Sequence, residues 1–445
     1  MRCNRRLLCV KVKSFLLLLV VLPSFIFLVT FISRRPSILN SVLYRAVDLN
    51  VANAQFRPGH FLNEYRVSNE SYCTFKYNLP DKFRYAETDL EYSPELAAKS
   101  SYRVLYNVLE AKETLNSSAP VTYATHVTPE FINYISEIAR HWDGLISVAA
   151  FVPDDDADFI TSQLLQICQC LPEMSKVSVH YVFPKSYPPY IKNHSIPTTC
   201  TLQDSSTHST YRTTNKLPYP VNIGRNVARR ASKTDYVLVS DVELMPSDRL
   251  ASKFEDMMKQ FASLRRLSFP SRVFVVPVFE IEEFEAIPRS KDELVKLIRE
   301  EKALYFHRHI CSHCQKFPGL ETWIQHEANG LLKPLMVVKR EYPFHRWEPI
   351  YIGTKNEPFY SERLSWEGKQ DKMTQMLEMC LKGYVFIILD NAFLIHWPGV
   401  KRKSPEMKLK AKWRLPYLMK NTRQYNQIIS HLATTHKNNP KCKLQ

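Results

Sequence analysis

The sequence predicts an α/β protein, with a mixed, mostly parallel central sheet flanked by helices. Two strand-and-helix patterns and a series of short apolar strands further along predict it. In the first pattern, residues 145–152 are a continuous apolar run of the length of a buried strand. Residues 158–171 then place Phe159, Leu164, Leu165 and Cys168 at helical spacing, and residues 177–183 alternate as a strand. Strand, helix, strand is the signature of a parallel sheet. In the second pattern, residues 222–231 are helix-like and residues 236–240 are an apolar strand running into acidic residues.

Further along, residues 273–280 read as a strand, 291–302 as an exposed helix of mixed charge, 372–381 as a helix and 384–389 as a strand. Before residue 140, a helix is expected around residues 94–109. Repeats are absent. With 445 residues, 45% hydrophobic and 12% aromatic, the chain is large enough for one large domain or two moderate ones. The formal net charge of +16 attracts anions of several kinds, from nucleic acid to acidic glycans and phosphate-bearing small molecules.

Residues 15–32 form an uncharged apolar run that can cross a bilayer as a helix. Arg2, Arg5, Arg6, Lys11 and Lys13 precede it, which orients the short N-terminus to the cytoplasm and the rest to a lumen. A cleaved signal peptide is the competing reading. Such a segment has a shorter apolar part and a small-residue cleavage site, whereas Ser33-Arg34-Arg35-Pro36 follows here, so an uncleaved Golgi-type anchor is favoured. The expected organisation is a cytoplasmic tail (1–14), an anchor (15–32), a lumenal stem (33–120), a catalytic domain (121–415) and a basic C-terminal tail (416–445). Lumenal topology excludes nucleic acid as the partner of the positive charge.

Three sequons agree with a lumenal chain: Asn69-Glu70-Ser71, Asn116-Ser117-Ser118 and Asn193-His194-Ser195. Eight of the 10 Cys follow the apolar run, an even set that implies disulfides in an oxidising compartment. Cys311-Ser312-His313-Cys314, beside His307 and His309, has half the spacing of a zinc site. No second CxxC completes it, so a disulfide is favoured over a metal.

The residues richest in chemistry are Asp241-Val242-Glu243, which follow the strand at 236–240 and precede Pro246. Ligands bind at the carboxyl ends of strands in open α/β sheets. Two carboxylates one residue apart can share a hard divalent cation, which in turn can bridge diphosphate oxygens. Two solvated acids at a strand end are the plainer reading of a motif this short. Only 9 Gly occur, with no GxGxxG and no GxxxxGK[ST], so neither a P-loop nor a standard dinucleotide fold is expected. Any bound diphosphate needs a metal or basic side chains.

Three more blocks surround this motif. Upstream lie Pro220-Val221-Asn222, Arg225-Asn226 and Ala228. Downstream lie Val275-Val276-Pro277-Val278-Phe279-Glu280, and then Gly383 through Ala392-Phe393 to His396 and Pro398. In this order the blocks resemble glycosyltransferase family 49, the family of β-1,4-glucuronyltransferase and of the glucuronyltransferase domain of the LARGE-type enzymes. The resemblance covers about residues 140–405. It implies a GT-A fold, a UDP-sugar donor, a glycan acceptor, a Mn²⁺-type cation and inversion at the anomeric carbon. It carries Asp241 and Glu243 onto the acidic motif and His396 onto a third metal ligand, although a histidine after an apolar strand is also a common structural residue. Asn222, Arg225 and Asn226 match the block expected to position the donor or the strand end.

Glu243 departs from the family's usual Asp. The same carboxylate on a longer arm either keeps the metal or marks a binding-only relative. An inverting transfer needs a base for the acceptor hydroxyl. Asp371, in Trp366-Glu367-Gly368-Lys369-Gln370-Asp371, is the candidate, with Glu280 and Glu348 as rivals.

Overall fold

Four parallel strands form the centre of the fold, and two of them open at their carboxyl ends onto one cleft. The computed structural model describes residues 57–113, 119–264, 271–403, 412–436 and 439–442. In chain order its strands are β1 (Thr74–Phe75), β2 (Leu90–Tyr92), β3 (Tyr102–Glu110), β4 (Ala119–Val127), β5 (Gly144–Phe151), β6 (Val177–Pro184), β7 (Tyr236–Val239), β8 (Leu244–Pro246), β9 (Arg272–Val275), β10 (Val278–Ile281), β11 (Ala303–Tyr305), β12 (Lys333–Val338), β13 (Tyr351–Gly353), β14 (Val385–Asp390) and β15 (Leu394–His396). The helices are α1 (Tyr134–His141), α2 (Asp156–Cys170), α3 (Tyr211–Thr214), α4 (Val221–Ala231), α5 (Leu250–Leu264), α6 (Lys291–Arg299), α7 (Leu320–Gln325), α8 (Met373–Leu381) and α9 (Leu415–Thr435).

An 11-stranded sheet runs β1-β3-β6-β5-β4-β7-β13-β9-β14-β12, with β2 beside β3. Strands β6, β5, β4 and β7 run parallel to one another, and so do β9 and β14. The flanks and β13 pair antiparallel, so antiparallel pairings outnumber parallel ones and the expected parallel character holds only at the centre. A parallel pair needs a crossover. Helices α1 and α2 supply one between β4 and β5 and one between β5 and β6. Strand β5, covered on both faces, is buried at every position, as its apolar run, interrupted only by Ser147, requires.

A second sheet of four strands, β11-β10-β15-β8, stands apart from the first. The single strand expected at 273–280 is in fact two, because the chain changes sheets at Val276-Pro277. Proline has no N–H to give to a ladder. Its carbonyl accepts from the Leu394 N–H at 2.8 Å, while the Val276 N–H donates to the Ile350 carbonyl at 2.9 Å.

The helix expected around 94–109 is a correction, since this stretch forms β3. The buried residues Val104, Leu105, Val108 and Leu109 recur at four-residue intervals, which imitates helical spacing. The interval comes from a bulge. Pairing with β6 shifts register between Leu105 and Leu109, and Asn107 there has φ 55°. Residues 74–110, read as stem, therefore supply three strands to the large sheet. The tail read from 416 is mostly helix α9.

The eight cysteines pair as Cys73–Cys168, Cys170–Cys200, Cys311–Cys314 and Cys380–Cys442. Asn69 and Asn193 are exposed. The anchor at 15–32, the residues before it and Asn116 lie outside the described residues. Among the described residues no helix is long and apolar enough to cross a membrane.

Helix α4 packs on β4 and β5, with Val221, Ile223, Val227 and Ala228 against Ala124, Ala149 and Phe151. A buried polar chain fastens it. The Asn107 N–H donates to His180 Nδ1 at 3.0 Å, so Nε2 carries the ring proton and donates to Ser147 Oγ at 3.0 Å. Ser147 Oγ donates in turn to the Ala228 carbonyl at 2.8 Å. Burial, aided by Lys233, lowers the His180 pKa to about 3. The ring stays neutral in the fold while an unfolded chain protonates it near 6.5. Its contribution is therefore complete above pH 6.5 and is lost as pH falls from there toward 3. Stability should fall in that range, with this ring contributing about 1.4 kcal/mol per pH unit. Urea midpoints measured from pH 7 to 4.5 should show the slope shallower by about one proton in His180→Asn.

Candidate functional site

Strand β7 delivers Asp241-Val242-Glu243 to the carboxyl edge of the parallel block. Tyr123, buried in neighbouring β4, donates its hydroxyl hydrogen toward the carbonyls of Asp241 (3.0 Å) and Leu244 (2.8 Å). Val242 is buried between the two acids. The turn is thus held by its backbone, leaving both carboxylates on the wall of a cleft of about 310 Å³.

Asp241 is surrounded by positive or donating groups. Its Oδ1 lies 3.3 Å from His126 Nε2 and 3.2 Å from Arg225 Nη2, and its Oδ2 lies 3.4 Å from Lys372 Nζ. Burial opposes ionisation, but Lys372, the His126 hydrogen bond and Arg225 hold the carboxyl well below the usual carboxylate range. His126 is fixed from behind by the Tyr219 hydroxyl, 2.6 Å from Nδ1. Burial lowers the His126 pKa too, so the ring is a neutral partner.

Glu243 faces the second sheet. The register of β15 on β8 sets His396 opposite Leu244, so its ring stands beside the preceding residue. His396 Nδ1 donates to the Gly399 carbonyl at 3.1 Å, which leaves the Nε2 lone pair directed at Glu243 Oε1, 3.5 Å away. That separation is too long for a good hydrogen bond, and Nε2 is buried without another partner. Burial lowers the His396 pKa and keeps the ring neutral. Burial likewise opposes the charge on Glu243, yet its pKa is brought down, and with the His396 ring neutral the charge that does this is Lys401, 3.5 Å from Oε2. A neutral imidazole lone pair facing a carboxylate is a donor set for a divalent cation of the Mn²⁺ type. Glu243 and His396 therefore suit such an ion as a pair, while Asp241 is engaged by His126, Arg225 and Lys372 and does not close with them into a three-ligand cluster.

The other residues singled out in the sequence fall into two groups. Arg225 lines the cleft and bridges Asp241 to Asp371 and to Asn222 Oδ1 (2.9 Å). Asn222 and Asn226 do not line it. The Asn222 amide donates to the carbonyls of Ser361 and Asp371, each at 2.8 Å, and Asn226 exchanges hydrogen bonds with the backbone of Tyr360. They fasten α4 to the segment 358–371. Asp371 reaches the site through Arg225. Glu280 is fully buried beneath the His307 backbone, and burial pushes it up to about 7. Glu348 is pushed up to about 7 by burial, and Lys372, Asp371, Arg340 and Arg225 act on its charge.

Sequence reasoning missed His126, Tyr219, His307, Lys372 and Lys401. His126 had a usable signal, a mixed run at 121–127 at the start of the expected catalytic domain, which was not read as a strand. Lys372 directly follows Asp371, and attention to a base passed over the cation.

This architecture and site define a glycosyltransferase. The sequence profile of the family described as "Glycosyl-transferase for dystroglycan" matches residues 120–437, and the chain belongs to that family. It is 28% identical over 318 residues to beta-1,4-glucuronyltransferase 1 of Danio rerio, covering 66% of this chain and 72% of that protein. It is 24% identical over 306 residues to the human xylosyl- and glucuronyltransferase LARGE1, covering 66% of this chain and 33% of the relative. The UDP complex of S. aureus TarS, residues 1-349, matches at a TM-score of 0.31 and 11% identity over 70% of each chain.

Gly224 lets α4 come close enough for Arg225 to reach Asp241. A Cβ there would stand 2.9 Å from His126 Cβ, an atom that cannot rotate away. Gly224→Ala must push α4 off β4. It should cost about 1–3 kcal/mol of stability, read as a lower thermal midpoint, and turnover should fall further than the loss of folded protein explains.

Proposed function

We propose that this chain is a metal-dependent, inverting glycosyltransferase of GT-A type that moves glucuronate from UDP-glucuronate to a protein-linked glycan. We further infer that it is a single-pass type II protein of the Golgi membrane, held by residues 15–32, with its catalytic domain in the lumen. The observation that carries the enzymatic reading is the Nε2 lone pair of His396 directed at the Glu243 carboxylate beside Asp241. Glucuronate as the sugar is supported by relatives of two kinds that are named glucuronyltransferases. The four disulfides and two exposed sequons support a lumenal chain.

In this reading Glu243 and His396, with Asp241 beside them, hold the cation, which when bound neutralises charge on the departing diphosphate. His126, backed by Tyr219, fixes the orientation of Asp241. Lys401, on the Glu243 side, offers a second positive group to the diphosphate. Asp371, which directly precedes Lys372, and Glu348 are the candidates to take the acceptor proton. Arg225 occupies and orients Asp371, whereas a carboxyl near 7, as in Glu348, suits a base working near neutral pH.

The longer arm of Glu243 matters to the alternative, a binding-only relative. UDP release should require Mn²⁺ and fall about a hundredfold or more in Asp241→Asn and Glu243→Gln, equivalent to ~3 kcal/mol of transition-state stabilisation. Folded protein that releases no UDP from any UDP-sugar would establish the binding-only reading. Loss of turnover in Glu348→Gln with retention in Asp371→Asn would assign the base to Glu348, and the reverse would assign it to Asp371.

A further inference from the structure

We propose that the Cys311–Cys314 disulfide is a thiol-exchange site, opened by a dithiol of the same compartment, and that opening it loosens the cleft wall at His307 together with Glu348. The exchange chemistry stands apart from the glycosyltransferase reading, whereas its effect on turnover rests on that reading.

The other three disulfides are walled off. Cys73, Cys168, Cys170, Cys200, Cys380 and Cys442 are each at most 7% exposed. Cys311 and Cys314 are half-buried, and Ser312 and His313 between them are exposed. An attacking thiolate has to reach the S–S bond, so access decides which bridge exchanges. Chain separation points the same way. The buried bridges join residues 95, 30 and 62 apart, whereas this one joins residues 3 apart. Closing so short a loop withdraws little entropy from the unfolded chain. Opening this bridge therefore leaves the fold held by the three that constrain it most.

His313 supplies what the chemical step needs. Its Nε2 lies 3.4 Å from Cys311 Sγ. A thiolate of the incoming dithiol attacks Cys314 Sγ, a mixed disulfide forms, and the Cys311–Cys314 bond breaks. Cys311 departs as a thiolate, which a proton on His313 Nε2 stabilises. The second thiolate of the dithiol then attacks the mixed disulfide and releases Cys314. The protein gains two electrons and two protons and ends with two thiols, while the dithiol ends as a disulfide.

The bridge also stands between two groups of the site. The Cys311 N–H donates to the His307 carbonyl at 2.8 Å, and His307 lines the cleft. The His307 ring stacks on Phe306, which in turn stacks on His396. His307 has φ 60°, a left-handed conformation uncommon for a residue with a side chain, and the turn that follows it is the one the bridge closes. On the far side, the Cys314 carbonyl accepts from the Glu348 N–H at 2.8 Å, and the Gln315 amide donates to the Glu348 carbonyl at 2.9 Å. Closed, the bridge ties His307 and the Glu348 backbone to one short turn. Opened, it lets each move without the other.

The experiment exposes the full chain to graded ratios of reduced to oxidised dithiothreitol. Free thiols are trapped with a maleimide and located by peptide mass. UDP release from UDP-glucuronate with Mn²⁺ is followed in parallel, and circular dichroism reports the fold. Cys311 and Cys314 should be labelled at ratios about tenfold or more milder than any other bridged cysteine. Turnover should fall about 3- to 30-fold in step with that labelling, with the fold intact, and should return on reoxidation. Cys311→Ser/Cys314→Ser should show the lowered turnover at every ratio, and His313→Gln should slow the opening severalfold. Should the serine variant fail to fold, the reversible reduction of wild type decides alone. Labelling no earlier than that of the buried bridges overturns the exchange site. Early labelling with unchanged turnover overturns the link to the cleft. An oxidised wild type that releases no UDP overturns the glycosyltransferase reading, while the order of labelling still decides the exchange site.

Discussion

Two carboxylates one residue apart, at the end of a buried strand, repel each other and resist desolvation, and the surrounding structure answers both costs. Asp241 and Glu243 remain ionised because cations of the protein stand beside each, Arg225 and Lys372 at the first and Lys401 at the second. His126, Arg225 and Lys372 gather on the first, and His396 and Lys401 on the second. Neither set belongs to one element. They come from β4, from α4, from the entry to α8, and from β15 with the residues beyond it. Bringing them within 3.2–3.5 Å of two side chains is the geometric problem that the fold solves.

The solution uses both sheets. The parallel block places β7 next to β4, so the acidic motif and His126 emerge at the same edge. The chain then turns at once into β8, which pairs with β15 and fixes His396 beside Glu243. Because β10 lies parallel to β15 with Glu280 opposite His396, the break at Val276-Pro277 matters to the site as well as to the fold. A continuous strand there would leave the second sheet without β10. The site is in this sense a seam between sheets, with a guanidinium from α4 reaching over one side of it.

Much of this was legible in the residues. Regular stretches that bury one face or two announce themselves by period, as at 145–152, 177–183 and 236–240, and each is a strand of the large sheet. Asp241, Glu243 and His396 were identifiable as one group only because four blocks occur in order; the register that unites them is a long-range fact. Where local signals failed, the cause is physical. A bulge at Asn107 gave β3 a helical spacing. A proline joined two strands of different sheets into one apparent run. Lys401 was out of reach because its significance lies in what it approaches, and charge runs such as 401–403 resemble any solvated surface. Asn222 and Asn226 belong to a motif whose matching residues invited a ligand role, yet their amides hold backbone, and Arg225 alone of the three faces the cleft.

The substitution at the second acidic position follows from the same geometry. Glu243 stands where the resemblance leads one to expect Asp, and its extra methylene lengthens the arm that must reach across the seam to His396. The resulting gap is 3.5 Å, with a lone pair on one side, a carboxylate on the other and no proton between them. A decayed site would be expected to close such a gap, by hydrogen bonding His396 Nε2 or by replacing the imidazole with an apolar ring. Instead the Gly399 carbonyl takes the Nδ1 proton and fixes the tautomer that keeps Nε2 open. Phe306 stacks on the ring and limits its rotation. The second partner of Glu243 is a lysine 3.5 Å away, which can turn to an incoming anion when the carboxylate is engaged elsewhere. Held in this way, the longer side chain changes the reach of the site without removing any of the groups a cation and a diphosphate would need.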